Sequence, residues 1–193
     1  MARRKGLTFY QKKKKLNSRL IKDIFEVVVG CVAAVFLSFV IIFSIGMRTS
    51  VIGDSMEPTL YNAQEILISR FAYKLTNPKR FDVIVFLPNG NQNSHFYVKR
   101  VIGLPGETLQ IKNGSVYING ALLTEDEQFD KMVDAGIAVN EITLSGDEYF
   151  VLGDNRNDSS DSRVPSVGNV AKSSIIGRAW FRIWPMSRIG LIE

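Results

Sequence analysis

No charged residue occurs between Val27 and Met47. As a helix these roughly 21 residues would be about 31 Å long, the thickness of a bilayer's hydrocarbon layer. The pattern predicts a transmembrane helix over residues 24–47. Beyond it the rhythm changes to short runs rich in Val, Ile, Phe and Tyr, separated by turn signals: Glu65 to Ile68, Asp82 to Leu87, Tyr97 to Ile102, Thr108 to Lys112, Ser115 to Ile118, Glu148 to Leu152 and Ile175 to Trp184. Such spacing predicts antiparallel β-structure, with no long amphipathic helix outside the membrane. Asn113-Gly114 between two alternating runs marks a two-residue hairpin, because both turn positions need positive φ. Pro88-Asn89-Gly90 and Leu104-Pro105-Gly106 mark further turns. The expected fold is mostly β, an antiparallel sheet or barrel-like domain over residues 48–193, anchored by one N-terminal transmembrane helix. Within it, residues 124–147 are acidic and carry few aliphatics at either regular period, so they read as a solvated surface excursion with at most a short helix.

Charge then orients the chain. Of the net +5, the basic side chains Arg3, Arg4, Lys5, Lys12 to Lys15, Arg19 and Lys22 all precede the apolar segment. Residues 1–23 are expected to be a cytoplasmic tail and the β-rich domain to be extracytoplasmic, by the positive-inside rule. Nucleic acid is not expected as a partner: the basic run lacks interleaved stacking aromatics and abuts a hydrophobic stretch. A cleaved secretory signal is disfavoured too, since its apolar core would be about 7–15 residues and end in a small-x-small site. Here the run leaves through Gly46-Met47-Arg48. Cys31, the single cysteine, lies in the apolar span, so the outer domain has no disulfide. Neither metal-ligand spacing nor a phosphate or dinucleotide glycine loop occurs, and the expectation is a reaction without metal or cofactor.

Candidate chemistry starts from two residues. Ser55 sits in the turn Gly53-Asp54-Ser55-Met56-Glu57-Pro58, where Gly53 permits a tight backbone path and Pro58 biases Glu57 away from helix. A serine in such a turn ordinarily does no more than close it. Lys99 interrupts the apolar run Phe96 to Gly103 on the same strand face as Tyr97 and Val101; it is either buried or an edge lysine with its head in water. Burial that lowered its pKa from about 10.4 to about 7.5 would cost the charged form roughly 4 kcal/mol, and a neutral amine can take a serine proton. With His95 the only histidine, a Ser-His-Asp arrangement has one possible base, whereas a Ser-Lys pair needs no histidine. Arg100 is left with a solvent-facing or an ion-pairing role. The third cluster, Gly153 to Arg163, is dense in Asx and Ser residues and reads on its own as a hydrogen-bonded surface loop.

In order along the chain, the Ser55 turn, the segment Arg80 to Phe86, the run Tyr97 to Glu107 and the loop Gly153 to Arg163 resemble the signature boxes of bacterial type I signal peptidases. The resemblance covers residues 24–193, includes the closing segment Gly177 to Pro185, and is to the compact Gram-positive forms. It implies a membrane-bound serine endopeptidase of the bacterial plasma membrane. Such an enzyme removes signal peptides from secreted preproteins after small residues at −1 and −3, and makes transient contact with the secretion machinery. Ser55 would be nucleophile and Lys99 general base; Ser159 would orient the Lys99 amine, Asp161 and Arg163 would pair, and Asp154 would support the same loop. The Ser55 backbone N–H would be one oxyanion donor. Some members add a serine hydroxyl two residues earlier, where this chain has Gly53; one such donor is typically worth about 2.7–4 kcal/mol. Positions matching the pocket walls are Val51, Met56, Leu60, Ile66, Val85, Tyr97 and Val98, with Met56, Leu60 and Val98 nearest the catalytic pair in sequence.

From Met47 to Ser55 the chain can reach at most about 28 Å, which holds the serine near the bilayer. Phe181 and Trp184 are either interfacial or core aromatics. Two other readings compete. One is a catalytically silent, membrane-tethered β module acting as an assembly or pilus chaperone, against which the presence of both Ser55 and Lys99 argues. The other is a relative of self-cleaving Ser-Lys repressors. Its Ala-Gly cut matches Ala135-Gly136, but only after the nucleophile, and no DNA-binding domain replaces the membrane span.

Overall fold

The computed structural model describes residues 18–91, 94–125 and 128–192. Most of the expected basic tail (residues 1–17) and Asp126 and Glu127 of the acidic excursion lie outside the described residues. The chain forms two compact units, divided between Ser44 and Ile45.

The first unit carries all but the last residue of helix α1, Ser18–Ile45. Its window Ile21–Val40 is long and apolar enough to cross a membrane, and none of that window is buried in protein. Phe25, Val35 and Phe36 are among its exposed side chains. The helix ends two residues before the expected boundary. Gly46 bends the chain, and Met47 already opens strand β1 (Met47–Ser50) opposite Ile68; a glycine just past the last helical residue is the usual stop.

The second unit is antiparallel β. After β1 come β2 (Glu65–Ser69), a single-turn helix α2 (Ala72–Leu75), β3 (Val83–Phe86), β4 (Tyr97–Gly103), β5 (Thr108–Lys112), β6 (Ser115–Ile118), β7 (Ala121–Leu122), β8 (Ile142–Thr143), β9 (Glu148–Leu152), β10 (Val170–Ala171), β11 (Ile175–Trp184) and β12 (Gly190–Leu191). The main sheet runs β1-β2-β11-β3-β4-β9-β10 with β12 on the side of β11, and a smaller one runs β7-β6-β5-β8. Register shifts in β11 between Ile175 and Gly177 and again between Ala179 and Phe181, and in β4 between Val101 and Gly103, are the irregularities that bend strands and curl sheets. The curled sheet stays open: β1 and β10 end the order and do not pair with each other.

All seven runs read from the sequence are strands. Their alternation sorts the core, since Val83 and Val85 enter one buried cluster with Val51, Met56, Leu60 and Val98, while Ile84 and Phe86 enter another with Val101, Tyr149 and Val151. Strand β3 is thus covered on both faces, and so reads as a continuous apolar run. Asn113 and Gly114 adopt φ of 51° and 76°, closing β5 onto β6 as expected. Asn119-Gly120 repeats the device between β6 and β7. In the closing segment Trp184 is 55% exposed and Phe181 half-buried with its ring against Trp180.

Candidate active site

The turn bearing Ser55 is fixed from both sides. Before it, Val51 donates its N–H to the Gln64 carbonyl and accepts from the Ala63 N–H. Gly53 follows at φ +82°, a left-handed conformation costly for any residue with a Cβ, and its N–H is taken by Asn62 Oδ1. After it, the Glu57 N–H returns to the Asp54 carbonyl and the Leu60 N–H to the Met56 carbonyl. Met56 and Leu60 are both buried in the core below. Ser55 is left half-exposed. Among the described residues no group accepts its backbone N–H.

Lys99 is supplied by β4, which lies between β3 and β9 in the interior of the main sheet and sets Lys99 opposite Ile84. Of the two roles open to it, the structure takes burial: Lys99 is 4% exposed, and its Nζ lies 2.5 Å from Ser55 Oγ. Loss of water pushes its pKa from the ordinary 10.5 down to about 8; Asp161 and Asp154 oppose the shift and Arg163 adds to it. The same Nζ stands 5.6 Å from the centre of the Tyr97 ring. A serine hydroxyl thus meets an amine that is largely charged at pH 7 and readily deprotonated above pH 8.

The loop after β9 wraps this pair. At Gly153 an added Cβ would lie 2.2 Å from Ser159 Oγ and 2.5 Å from the Ser55 carbonyl oxygen, so only glycine lets the loop seat against the nucleophile turn. Next, the Asn155 N–H donates to that Ser55 carbonyl and its side-chain amide to the Asp54 carbonyl. Asp154 receives both Arg100 Nε and Nη2, at 2.8 and 2.7 Å, with both side chains buried. Arg100 therefore ion-pairs rather than facing solvent. Asp161 accepts from the Gly153 N–H and is paired two-pronged with Arg163, each contact at 2.9 Å. Ser159 Oγ is buried beside the Gly153 backbone and has no hydrogen-bond partner among the described residues.

A cleft of about 460 Å³ opens over Ser55 and Lys99. Of the expected pocket positions, Val51, Met56, Tyr97 and Val98 line it. Leu60, Ile66 and Val85 lie outside its lining and are fully buried in the cluster that carries Met56 and Val98; they shape the floor from behind. Ile52, His95, Phe96, Asp158 and Ser160 also face the cleft, although sequence reasoning singled none of them out as pocket wall. Their only sequence signal was adjacency to Gly53, Tyr97 and Ser159. Among the described residues no cluster of His, Cys, Asp or Glu is arranged to hold a metal.

The acidic excursion is more than a solvated loop. Met132 and Ala138 are buried in the core of the small sheet. Glu125, Phe129 and the backbone of Lys131 to Ile137 contact the 153–163 loop.

A serine in contact with a buried lysine of lowered pKa, backed by an ion-paired loop on an antiparallel sheet, is the arrangement of a serine hydrolase. Residues 24–184 match the family model "Signal peptidase, peptidase S26", and the chain belongs to that family of peptidases. It is 38% identical over 162 residues to a probable signal peptidase I-2 of Synechocystis sp., covering 79% of this chain and 72% of that protein. To signal peptidase I P of Bacillus subtilis subsp. natto it is 33% identical over 189 residues, covering 93% and 97%. To signal peptidase IB of Staphylococcus aureus strain COL it is 31% identical over 183 residues, covering 86% and 92%. A crystal structure of a signal peptidase I from Enterococcus faecalis V583 aligns with a TM-score of 0.42 at 36% identity, over 52% of this chain and 95% of that one.

Proposed function

We propose that this peptidase cleaves signal peptides from preproteins at the membrane with Ser55 as nucleophile and Lys99 as general base, the 2.5 Å contact between their reacting atoms being the observation that carries the reading. The neutral Lys99 amine accepts the Ser55 proton as Oγ attacks the scissile carbonyl carbon. The resulting oxyanion is met by the unengaged Ser55 N–H. As the tetrahedral species collapses, the Lys99 ammonium gives its proton to the leaving amine of the mature protein, and the signal peptide stays as an ester on Oγ. Water, deprotonated by the same amine, then hydrolyses that ester and regenerates Ser55. Gly53 offers neither a hydroxyl nor a free N–H to the oxyanion, so more of its stabilisation rests on Ser55 N–H than in relatives with a serine there.

Small residues at −1 and −3 suit a cleft walled by Val51, Met56, Tyr97 and Val98, whose apolar floor is already packed by Leu60, Ile66 and Val85. The apolar helix α1 is the anchor, with residues before Asp23 on the cytoplasmic side of the plasma membrane and the β domain outside. The basic tail supports that orientation. At most about 28 Å of chain separates Met47 from Ser55, and exposed Trp184 suits a lipid interface.

The test is the pH dependence of preprotein cleavage. Because only the neutral amine accepts the serine proton, kcat/KM should rise about tenfold per pH unit below the pKa and level off above about 8. A rate unchanged between about pH 5 and pH 9 would contradict the assignment of Lys99 as base.

A further inference from the structure

The ring of Phe129 is within reach of two buried guanidinium groups. Arg156 Cζ is 4.6 Å from its centre and Arg100 Cζ 5.5 Å. Arg156 is held from its far end by Glu125, whose two carboxylate oxygens receive Nη1 at 2.9 Å and Nη2 at 2.5 Å. Each arginine then leads to the catalytic loop by its own route. Arg100 binds Asp154. The Arg156 carbonyl receives Nη2 of Arg163 at 2.6 Å, and Arg163 grips Asp161, which in turn holds the Gly153 N–H. Arg163 is fixed again by the excursion: its Nη1 donates to the Asp134 carbonyl, and its own carbonyl receives the Ile137 N–H.

Resting on the Ser55 and Lys99 reading above, we infer that Phe129 and Glu125 are positioning residues for the catalytic pair: the excursion clamps Arg100 and Arg156 and so presses the 153–163 loop over Lys99. The physical reason is economy of charge. Two arginines buried against one ring each need a counter-charge, and the ring supplies a polarisable face to both. Asp154 and Glu125 supply the counter-charges. Without the ring, both cations lose their polarisable face, and the cheapest relief is for Arg156 to swing into water, taking the support of Arg163 with it.

That relief would wet Lys99. The charged groups facing its amine are Asp161, Asp154 and Arg163, and the cleft beside it also holds Asp54, His95 and Asp158. Dehydration is the dominant cause of the low Lys99 pKa, with Arg163 adding to it. A loosened loop admits water and withdraws Arg163, and both changes raise the pKa. Loss of mere stability would instead lower the amount of active enzyme and leave the Lys99 titration of the folded protein where it is in the wild type.

The experiment uses the full chain in detergent, as wild type, Phe129→Leu, Phe129→Tyr and Glu125→Gln. For each, kcat/KM on a preprotein is followed against pH, and Lys99 is titrated directly by NMR of labelled lysine in a Ser55→Ala background. We expect the acid limb of Phe129→Leu to move up by about one pH unit, which is about a tenfold loss at pH 7 that largely recovers above pH 9. Phe129→Tyr, which keeps the ring, should restore the wild-type limb, and Glu125→Gln should shift it part of the way. The NMR titration should move with the limb, and it reads Lys99 whether or not Ser55 is the nucleophile. If Lys99 titrates as in wild type in folded Phe129→Leu, or in folded Glu125→Gln should the leucine variant not fold, the inference is overturned. A shifted titration without any catalysis-linked limb would leave the clamp standing and sink the Ser-Lys reading instead.

Discussion

Replacing Lys99 by methionine is expected to abolish preprotein cleavage, a loss of at least about three orders of magnitude, as for removal of a base that activates a nucleophile, while leaving the protein at least as stable as before. The second half follows from the sign of the pKa shift. In the unfolded chain the amine binds its proton up to about pH 10.5, and in the folded protein only up to about pH 8. Between those values the unfolded state binds more protons, so stability rises with pH through that window; below it the full penalty for burying the cation applies. At pH 7 that penalty is on the order of 3 kcal/mol, an upper bound, because the Ser55 contact is lost along with it. Methionine keeps most of the buried stem and removes the charge. An inactive Lys99→Met with an unchanged or raised melting temperature therefore separates the chemical role of the amine from any structural one; Lys99→Ala should be equally inactive but leaves a cavity. A melting temperature that falls steeply in Lys99→Met would show instead that the amine is a structural group.

The second large effect concerns the pair beneath the loop. Asp154→Ala leaves the Arg100 guanidinium, 3% exposed, without its carboxylate. Stranding one member of a buried ion pair typically costs about 3–5 kcal/mol, or roughly 10 °C in melting temperature for a domain of this size. The carbonyl of Phe81, which also accepts from Arg100, moderates the loss without cancelling the charge. The double variant Arg100→Met with Asp154→Leu should recover most of the stability, since removing both charges also removes their desolvation cost. It should not recover the full rate, because the loop over Lys99 has lost its tie to β4. Thermal melts of the two variants decide this. A single variant within about 1 kcal/mol of wild type would mean that Arg100 has another route to water or to a counter-charge.

How much of this could be read from the residues depends on the range of the interaction. Strands such as Val83 to Phe86 and Tyr97 to Gly103 announce themselves because burial on both faces fills them with β-branched and aromatic side chains. Asn113-Gly114 does so because its turn type admits little else. Lys99 was conspicuous as a cation in an apolar strand, and Ser55 was paired with it through the ordered boxes. Strands β7, β8, β10 and β12, of two residues each, are too short to display any period and exist because a neighbour offers hydrogen bonds. The end of α1 shifted because Met47 is apolar enough for lipid but is claimed by Ile68.

The sites missed or left open are all matters of long-range packing. Arg100 had two possible roles because nothing local says that its side of β4 is roofed by the 153–163 loop. Phe129 sits among acidic residues that look solvated, and its value comes only from two arginines distant in sequence. Ser159 and Ser160 are adjacent and chemically identical; the fold turns Ser160 to the cleft and packs Ser159 against Gly153, a distinction that depends on the absence of a single Cβ.

The central claim, a signal-peptide-cleaving peptidase whose nucleophile is Ser55, is tested most directly by incubating a preprotein with small residues at −1 and −3 with the full chain and with Ser55→Ala, and locating any cut by mass spectrometry. Cleavage once, directly after the −1 residue, by the wild type and none by the folded Ser55→Ala variant is the predicted result; the same cut made by Ser55→Ala would contradict it.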